Sequence, residues 1–178
     1  MKAVSIETPR FYLERLSSQH LSQKYVDWMN DNQVNQFLES GGNYTLDMLN
    51  NFLLDITEKN IYFWAIKDKL DNKHIGNIKI DPINFRHGWG EYGILIGNQS
   101  YWGKGVGFEV SNAVIDFCFE GNLKLRKINL GVRAENIAAI ALYNKLGFEI
   151  EGVYKKHSVT TTGFDDVLRM SIFNPRSL

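Results

Sequence analysis

Glycine occupies every second position from 103 to 107 in the run Tyr101-Trp102-Gly103-Lys104-Gly105-Val106-Gly107. The missing Cβ atoms let a ligand approach the backbone. They also permit the positive φ angles at which successive N–H groups converge. Val106, Val110, Ala113, Val114 and Phe117 follow at helical spacing, so a helix begins here and brings the positive end of its dipole to the same place. Residues of this kind hold an anion, most naturally a phosphate or pyrophosphate.

Two common phosphate loops do not fit. The Walker loop needs Lys followed by Ser or Thr so that a hydroxyl can hold magnesium, but Lys104 is followed by Gly105. The dinucleotide fingerprint needs a third glycine where Phe108 stands, and no acidic ribose ligand stands clearly about 20 residues further on.

The surrounding chain bounds what the loop can serve. It has 178 residues, 44% hydrophobic and 22% charged, which suits one globular domain over 1–178. Twenty basic and twenty acidic residues cancel, leaving no electrostatic footprint for nucleic acid. No apolar run is long enough for a membrane span, and Met1–Arg10 lacks the apolar stretch of a secretory signal. The expectation is a cytoplasmic protein without membrane or nucleic-acid partners. The single cysteine, Cys118, excludes an intrachain disulfide and a cysteine-based zinc cage, and no metal is expected.

Patterning supplies the elements that must position the loop. Phe11 and Leu13 alternate as in a first strand. Helical spacing follows through Tyr25 and Trp28, and Thr45 precedes a second helical face of Met48, Leu49, Phe52 and Ile56. Strands are expected at 62–66, 75–80, 91–96, 128–132, 148–150 and 167–172, and a short helix at 137–146. The sum is an α/β domain.

Trp102-Gly103-Lys104-Gly105-Val106-Gly107 resembles the acetyl-CoA pyrophosphate loop of the GCN5-related N-acetyltransferases (GNAT), Gln/Arg-x-x-Gly-x-Gly/Ala. Trp102 departs from the usual Gln or Arg. Asn136 to Phe148 resembles the family's Asn-x-x-Ala/Ser…Tyr-x-Lys-x-Gly-Phe segment, in the family's order of loop, helix, strand and segment. Glu91-Tyr92-Gly93-Ile94 is similar to its fourth strand, and Thr8–Leu13 and His74–Ile78 add to the match. Tyr-Trp-Gly-Lys-Gly is similar to the form in the subgroup of ribosomal-protein N-terminal (RimJ/RimL-like) acetyltransferases. The resemblance implies a GNAT fold, a central mixed, mostly antiparallel twisted sheet of six to seven strands flanked by about four helices.

It also implies roles. Acetyl-CoA is the cosubstrate, and the amine attacks its thioester directly. Trp102, Gly103, Lys104, Gly105, Val106 and Gly107 would cradle the pyrophosphate, with Lys104 equally readable as a solvated lysine. Ile94, Leu95 and Ile96 would hold the pantetheine arm as an added strand does. Glu91 would deprotonate the ammonium, with His87 and His74 as substitutes, His74 being also readable as facing solvent or packing at the start of its strand. Tyr143 would reach the sulfur and protonate the departing thiolate. Asn136 would bond pantetheine or substrate, or simply cap its helix. Trp28, His87 and Trp89 are candidates for the acceptor side.

The acceptor is expected to be a small-molecule or peptide amine. A small amine, such as a nucleotide-linked amino sugar or a polyamine, is preferred over a protein N-terminus because no strongly acidic stretch stands ready for a basic ribosomal protein. A CoA-binding module without catalysis is the alternative of another class. The assembly would be a monomer or homodimer.

Overall fold

The computed structural model describes residues 4–38, 42–59, 61–121, 123–160 and 163–176. Among them lie eight strands and five α-helices in the order β1 (Ile6–Glu7), β2 (Phe11–Arg15), α1 (Gln23–Asn30), α2 (Asn32–Asn35), α3 (Leu46–Glu58), β3 (Tyr62–Asp68), β4 (His74–Asn84), β5 (Trp89–Leu95), α4 (Val106–Glu120), β6 (Lys127–Arg133), α5 (Ile137–Lys145), β7 (Glu149–Thr160) and β8 (Gly163–Phe173). The sheet is mixed and mostly antiparallel, with strand order β1-β2-β3-β4-β5-β6-β8-β7. This is the expected α/β class, with a two-residue β1 that carries no apolar pattern of its own.

The chain divides into two compact units, Met1–Asp81 with Gly93–Ala113, and Pro82–Tyr92 with Val114–Leu178. In the first, β2 pairs β3 antiparallel with Leu13 opposite Ile66, and β3 pairs β4 with Trp64 opposite Ile78. All four side chains are fully buried. Beside them, Leu16, Tyr25, Val26, Trp28, Leu49, Leu53 and Ile56 form a core cluster from the β2 exit, α1 and α3. Side-chain caps start both helices: Ser22 accepts from the Tyr25 N–H, and Thr45 from the Met48 N–H. Two glycines permit close approach. A Cβ on Gly76 would lie 2.2 Å from the Leu95 carbonyl oxygen, and one on Gly97 would lie 2.2 Å from the Trp28 indole.

In the second unit β6 pairs β8 antiparallel from Lys127↔Phe173 to Arg133↔Val167. Period-two alternation gives it one apolar face, with Ile128, Leu130, Val132 and Met170 buried, and one polar face carrying Asn129, Arg169 and Ser171. β5 pairs β6 in parallel at Trp89↔Lys127, Gly90↔Ile128 and Glu91↔Asn129. That register stops there, although β5 continues to Leu95 and β6 to Arg133.

β7 and β8 exceed the expected 148–150 and 167–172. The added length is a mostly exposed hairpin whose polar Lys155-Lys156-His157-Ser158 stretch shows no apolar alternation, so pairing with β8 makes it a strand. Cys118 on α4 is buried, and burial pushes its thiol pKa up.

Candidate active site

The glycine run leads into α4 as its spacing requires. Gly103 and Gly105 adopt φ of 70° and 73°, and a Cβ on Gly103 would meet nothing within 4 Å. Conformation rather than crowding therefore calls for glycine there. Among the described residues no acceptor bonds the N–H groups of Gly103, Lys104, Gly105, Val106 or Gly107. Trp102 to Gly105 are exposed. Unspent donors, positive φ and a helix start fit the demands of a pyrophosphate. The Lys104 ammonium stands 6.0 Å from the Tyr101 ring centre, and the Tyr101 hydroxyl donates to Asp68 at 2.7 Å.

Trp102 takes a part that its place in the motif does not reveal. Its indole N–H donates to the Ile96 carbonyl at 2.7 Å, tying the loop to the end of β5. That carbonyl is already engaged, so a pantetheine ladder would rest on the other main-chain groups of Ile94, Leu95 and Ile96. The β5 edge beyond Glu91 lies outside the β5–β6 register, as an added strand would need.

Three residues missing from the expected site brace this loop. Glu109, in the first turn of α4, accepts from the Thr8 hydroxyl at 2.6 Å, the Arg10 N–H at 2.9 Å and Arg10 Nε at 2.7 Å. Burial works against its charge, but these bonds outweigh burial and hold its pKa below the usual value. Arg10 Nη2 donates in turn to the Lys104 carbonyl at 3.1 Å. Thr8-Pro9-Arg10 and the glycine run each stand out in the sequence, but nothing local links positions 99 residues apart.

In the second unit, Glu91 lies on the polar face of β5. Both its oxygens are bound by Arg169 of β8, at 2.7 and 2.8 Å. The guanidinium reaches Glu91 past Gly131, where a Cβ would lie 2.8 Å from Arg169 Nη1. The Glu91 bonds keep the Arg169 pKa above its ordinary value. Trp89 begins the same strand, partly buried. His87 is exposed in the β4–β5 turn, held by its backbone: its N–H donates to Asn84 at 2.9 Å and its carbonyl accepts from Arg126 at 2.7 Å.

Tyr143 projects from α5 into an aromatic cluster, edge-on to Tyr92 at 5.8 Å and tilted against Phe148 at 5.8 Å. It is 7% exposed, and burial raises its pKa to about 12. The phenol therefore keeps its proton and is available as a donor. Asn136 is the N-cap of α5 and accepts from the Ala139 N–H at 3.2 Å, so its capping role is met.

Two expectations need correction. Trp28 does not line an open acceptor wall: it is 6% exposed, packed on Gly97 and edge-on to His74 at 5.1 Å. His74 does not suit a base. Its Nε2 is bonded to the Gly76 carbonyl and to Asn77 Oδ1, and burial lowers its pKa to about 4. Among the described residues no helix is long and apolar enough to cross a membrane, and no group of three His, Cys, Asp or Glu side chains could hold a metal.

The chain resembles known proteins in sequence and in fold. The acetyltransferase (GNAT) domain model matches residues 10–149. Spermidine N(1)-acetyltransferase of Escherichia coli K12 is 30% identical over 129 residues, covering 71% of this chain and 68% of that protein. The crystal structure of spermidine N-acetyltransferase from Vibrio cholerae in complex with CoA and spermine superposes with a TM-score of 0.83 at 25% identity, covering 92% and 95% of the two chains. A ribosomal-protein-S5-alanine acetyltransferase from Vibrio fischeri shares the fold at a TM-score of 0.81 and 21% identity, covering 97% of each chain. With the family model spanning most of its length, the chain belongs to the GNAT family and is an acetyl-CoA-dependent N-acetyltransferase that acts on an amine.

Proposed function

We propose that the enzyme acetylates a primary amine of a polyamine such as spermidine. The identity to the Escherichia coli spermidine N(1)-acetyltransferase over 129 residues carries this reading. The likeness to the ribosomal-protein enzyme, at 21% identity, speaks for the fold alone and gives a protein N-terminus no preference. A nucleotide-linked amino sugar, the other small amine expected from the sequence, has no such support among these relatives. Residues 1–178 act as a single acetyltransferase domain in this reading.

The acceptor enters as an ammonium with a pKa near 10 and must lose a proton before it can attack. Glu91 receives that proton, directly or through water, with Arg169 fixing the direction of its carboxylate. Acetyl-CoA supplies the activated acyl group. The N–H groups of 103–107 hold its pyrophosphate, and the β5 end from Ile94 to Ile96 holds its amide-rich arm. Tyr143 donates its phenolic proton, or a strong hydrogen bond, to the thiolate as it leaves. Asn136 holds the start of α5, and Trp89 and His87 border the acceptor.

The test is thiol release from acetyl-CoA with spermidine, spermine, a nucleotide-linked amino sugar and a ribosomal-protein N-terminal peptide, each product identified by mass. Turnover is expected with spermidine or spermine at a kcat/KM at least about tenfold above the other acceptors. Preference for the sugar or the peptide would overturn the polyamine assignment.

A further inference from the structure

We propose that Arg10 and Glu109 form a positioning device that aims the N–H groups of the phosphate cradle. The proposal rests on the reading that the 103–107 backbone holds the CoA pyrophosphate. Its basis is a chain of bonds within the first unit. Glu109 cannot turn, because Oε1 is held by the Thr8 hydroxyl and the Arg10 N–H while Oε2 is held by Arg10 Nε. The guanidinium is thereby fixed in its own plane, and its Nη2 meets the Lys104 carbonyl.

That last bond sets the direction of a donor. The Lys104 carbonyl and the Gly105 N–H belong to one planar trans peptide and point opposite ways. Pinning the carbonyl towards Arg10 turns the Gly105 N–H away from Arg10 and fixes its direction. The approach is close, with Arg10 Nη2 3.9 Å from the place a Gly105 Cβ would take. Among the described residues no other hydrogen bond is made by this peptide: Gly105 enters it with positive φ, and the Trp102 indole is occupied with Ile96.

Arg10 contributes direction rather than attraction, since Glu109 neutralises its charge at 2.7 Å. Lysine could not replace it. A single ammonium has no rigid fork with which to hold a carboxylate and a carbonyl in one plane. Arg10 and Glu109 are thus positioning residues for donor binding.

The experiment measures CoA affinity by titration calorimetry on the full chain, with melting temperature and steady-state kinetics alongside, for Arg10→Met, Arg10→Lys, Glu109→Gln and Gly105→Ala. Arg10→Met and Arg10→Lys are each expected to raise the Kd for CoA about tenfold, and Glu109→Gln severalfold, with kcat at saturating acetyl-CoA and KM for the amine unchanged. Wild-type affinity in Arg10→Lys, or tighter binding in Glu109→Gln, would mean that Arg10 acts by charge, and overturns the proposal. A lower melting temperature with unchanged CoA affinity in all three variants overturns it as well, leaving only packing. Gly105→Ala separates the two levels. If it binds CoA normally, the cradle reading itself falls. If it binds weakly while the Arg10 and Glu109 variants bind normally, the cradle stands and the positioning role falls.

Discussion

Glu91 and Arg169, 78 residues apart in sequence, meet in a two-pronged ion pair across the polar face of the sheet, with contacts of 2.7 and 2.8 Å. The intervening strand makes room with Gly131, opposite Arg169 in the β6–β8 register. A forked pair fixes the plane of the carboxylate as well as its place. Glu91→Gln is therefore expected to lower kcat roughly 100-fold or more, and Arg169→Met about tenfold or more, both with CoA affinity unchanged. Gly131→Ala gives the sharper test, because it leaves both charges in the protein and blocks the path between them. It should reproduce the kcat loss of Arg169→Met. Full activity in Gly131→Ala would show that the pairing is dispensable.

Tyr143→Phe is expected to lower kcat between about tenfold and 100-fold with little change in the Kd for CoA. Because burial lifts the phenol pKa to about 12, loss of its proton should not cut the rate at any pH below about 10. A Tyr143-dependent alkaline fall nearer neutrality, seen in the wild type and absent in the phenylalanine variant, would contradict its role as a protonated donor.

The candidate site is legible in the sequence where its geometry is local. A glycine run that must turn with positive φ and then start a helix announces itself in seven residues, and so does the segment from Asn136 to Phe148. The braces were hidden because they join distant elements: Arg10, just before β2, meets Glu109 on α4 through tertiary packing, and Glu91 meets Arg169 through sheet register, and no local pattern records either. The burial of Trp28 is not legible in the sequence for the opposite reason. An aromatic near an expected cleft reads the same whether it faces a ligand or a glycine; its burial, its contact with His74 and the missing Cβ of Gly97 show that the ring is packed. The β7–β8 hairpin escaped because its exposed residues alternate between no two environments.

His74 is expected to make stability sensitive to acid. Burial is the largest cause of its low pKa, outweighing the bonds to Asn77 and Gly76, and takes it from 6.5 to about 4. Between those values the unfolded chain binds a proton that the folded one refuses, so stability rises with pH across that window and is lost as pH falls through it. The full effect is about 3 kcal/mol. His74→Phe should flatten the melting temperature between about pH 4 and pH 6.5. A wild-type slope in that variant would assign the acid sensitivity elsewhere.

Gly97→Ala should destabilise the protein by about 3 kcal/mol, at the upper end for an overpacked core, because its Cβ would enter the Trp28 indole. Adding Trp28→Leu should recover part of the loss in a denaturant titration. Independent, additive losses would show that the two residues do not share that space.

The indole of Trp102 gives the enzyme an optical handle. One end of this ring is fastened to the Ile96 carbonyl, and the ring stands 42% exposed at the head of the glycine run. Of the four tryptophans, Trp28 and Trp64 are buried within the core of the first unit. In the proposed cradle reading, a pyrophosphate arriving at the loop would change the field and the water around Trp102 directly. Its emission is therefore expected to shift on CoA titration without any label, and a Trp102→Phe comparison would isolate that signal from the other three.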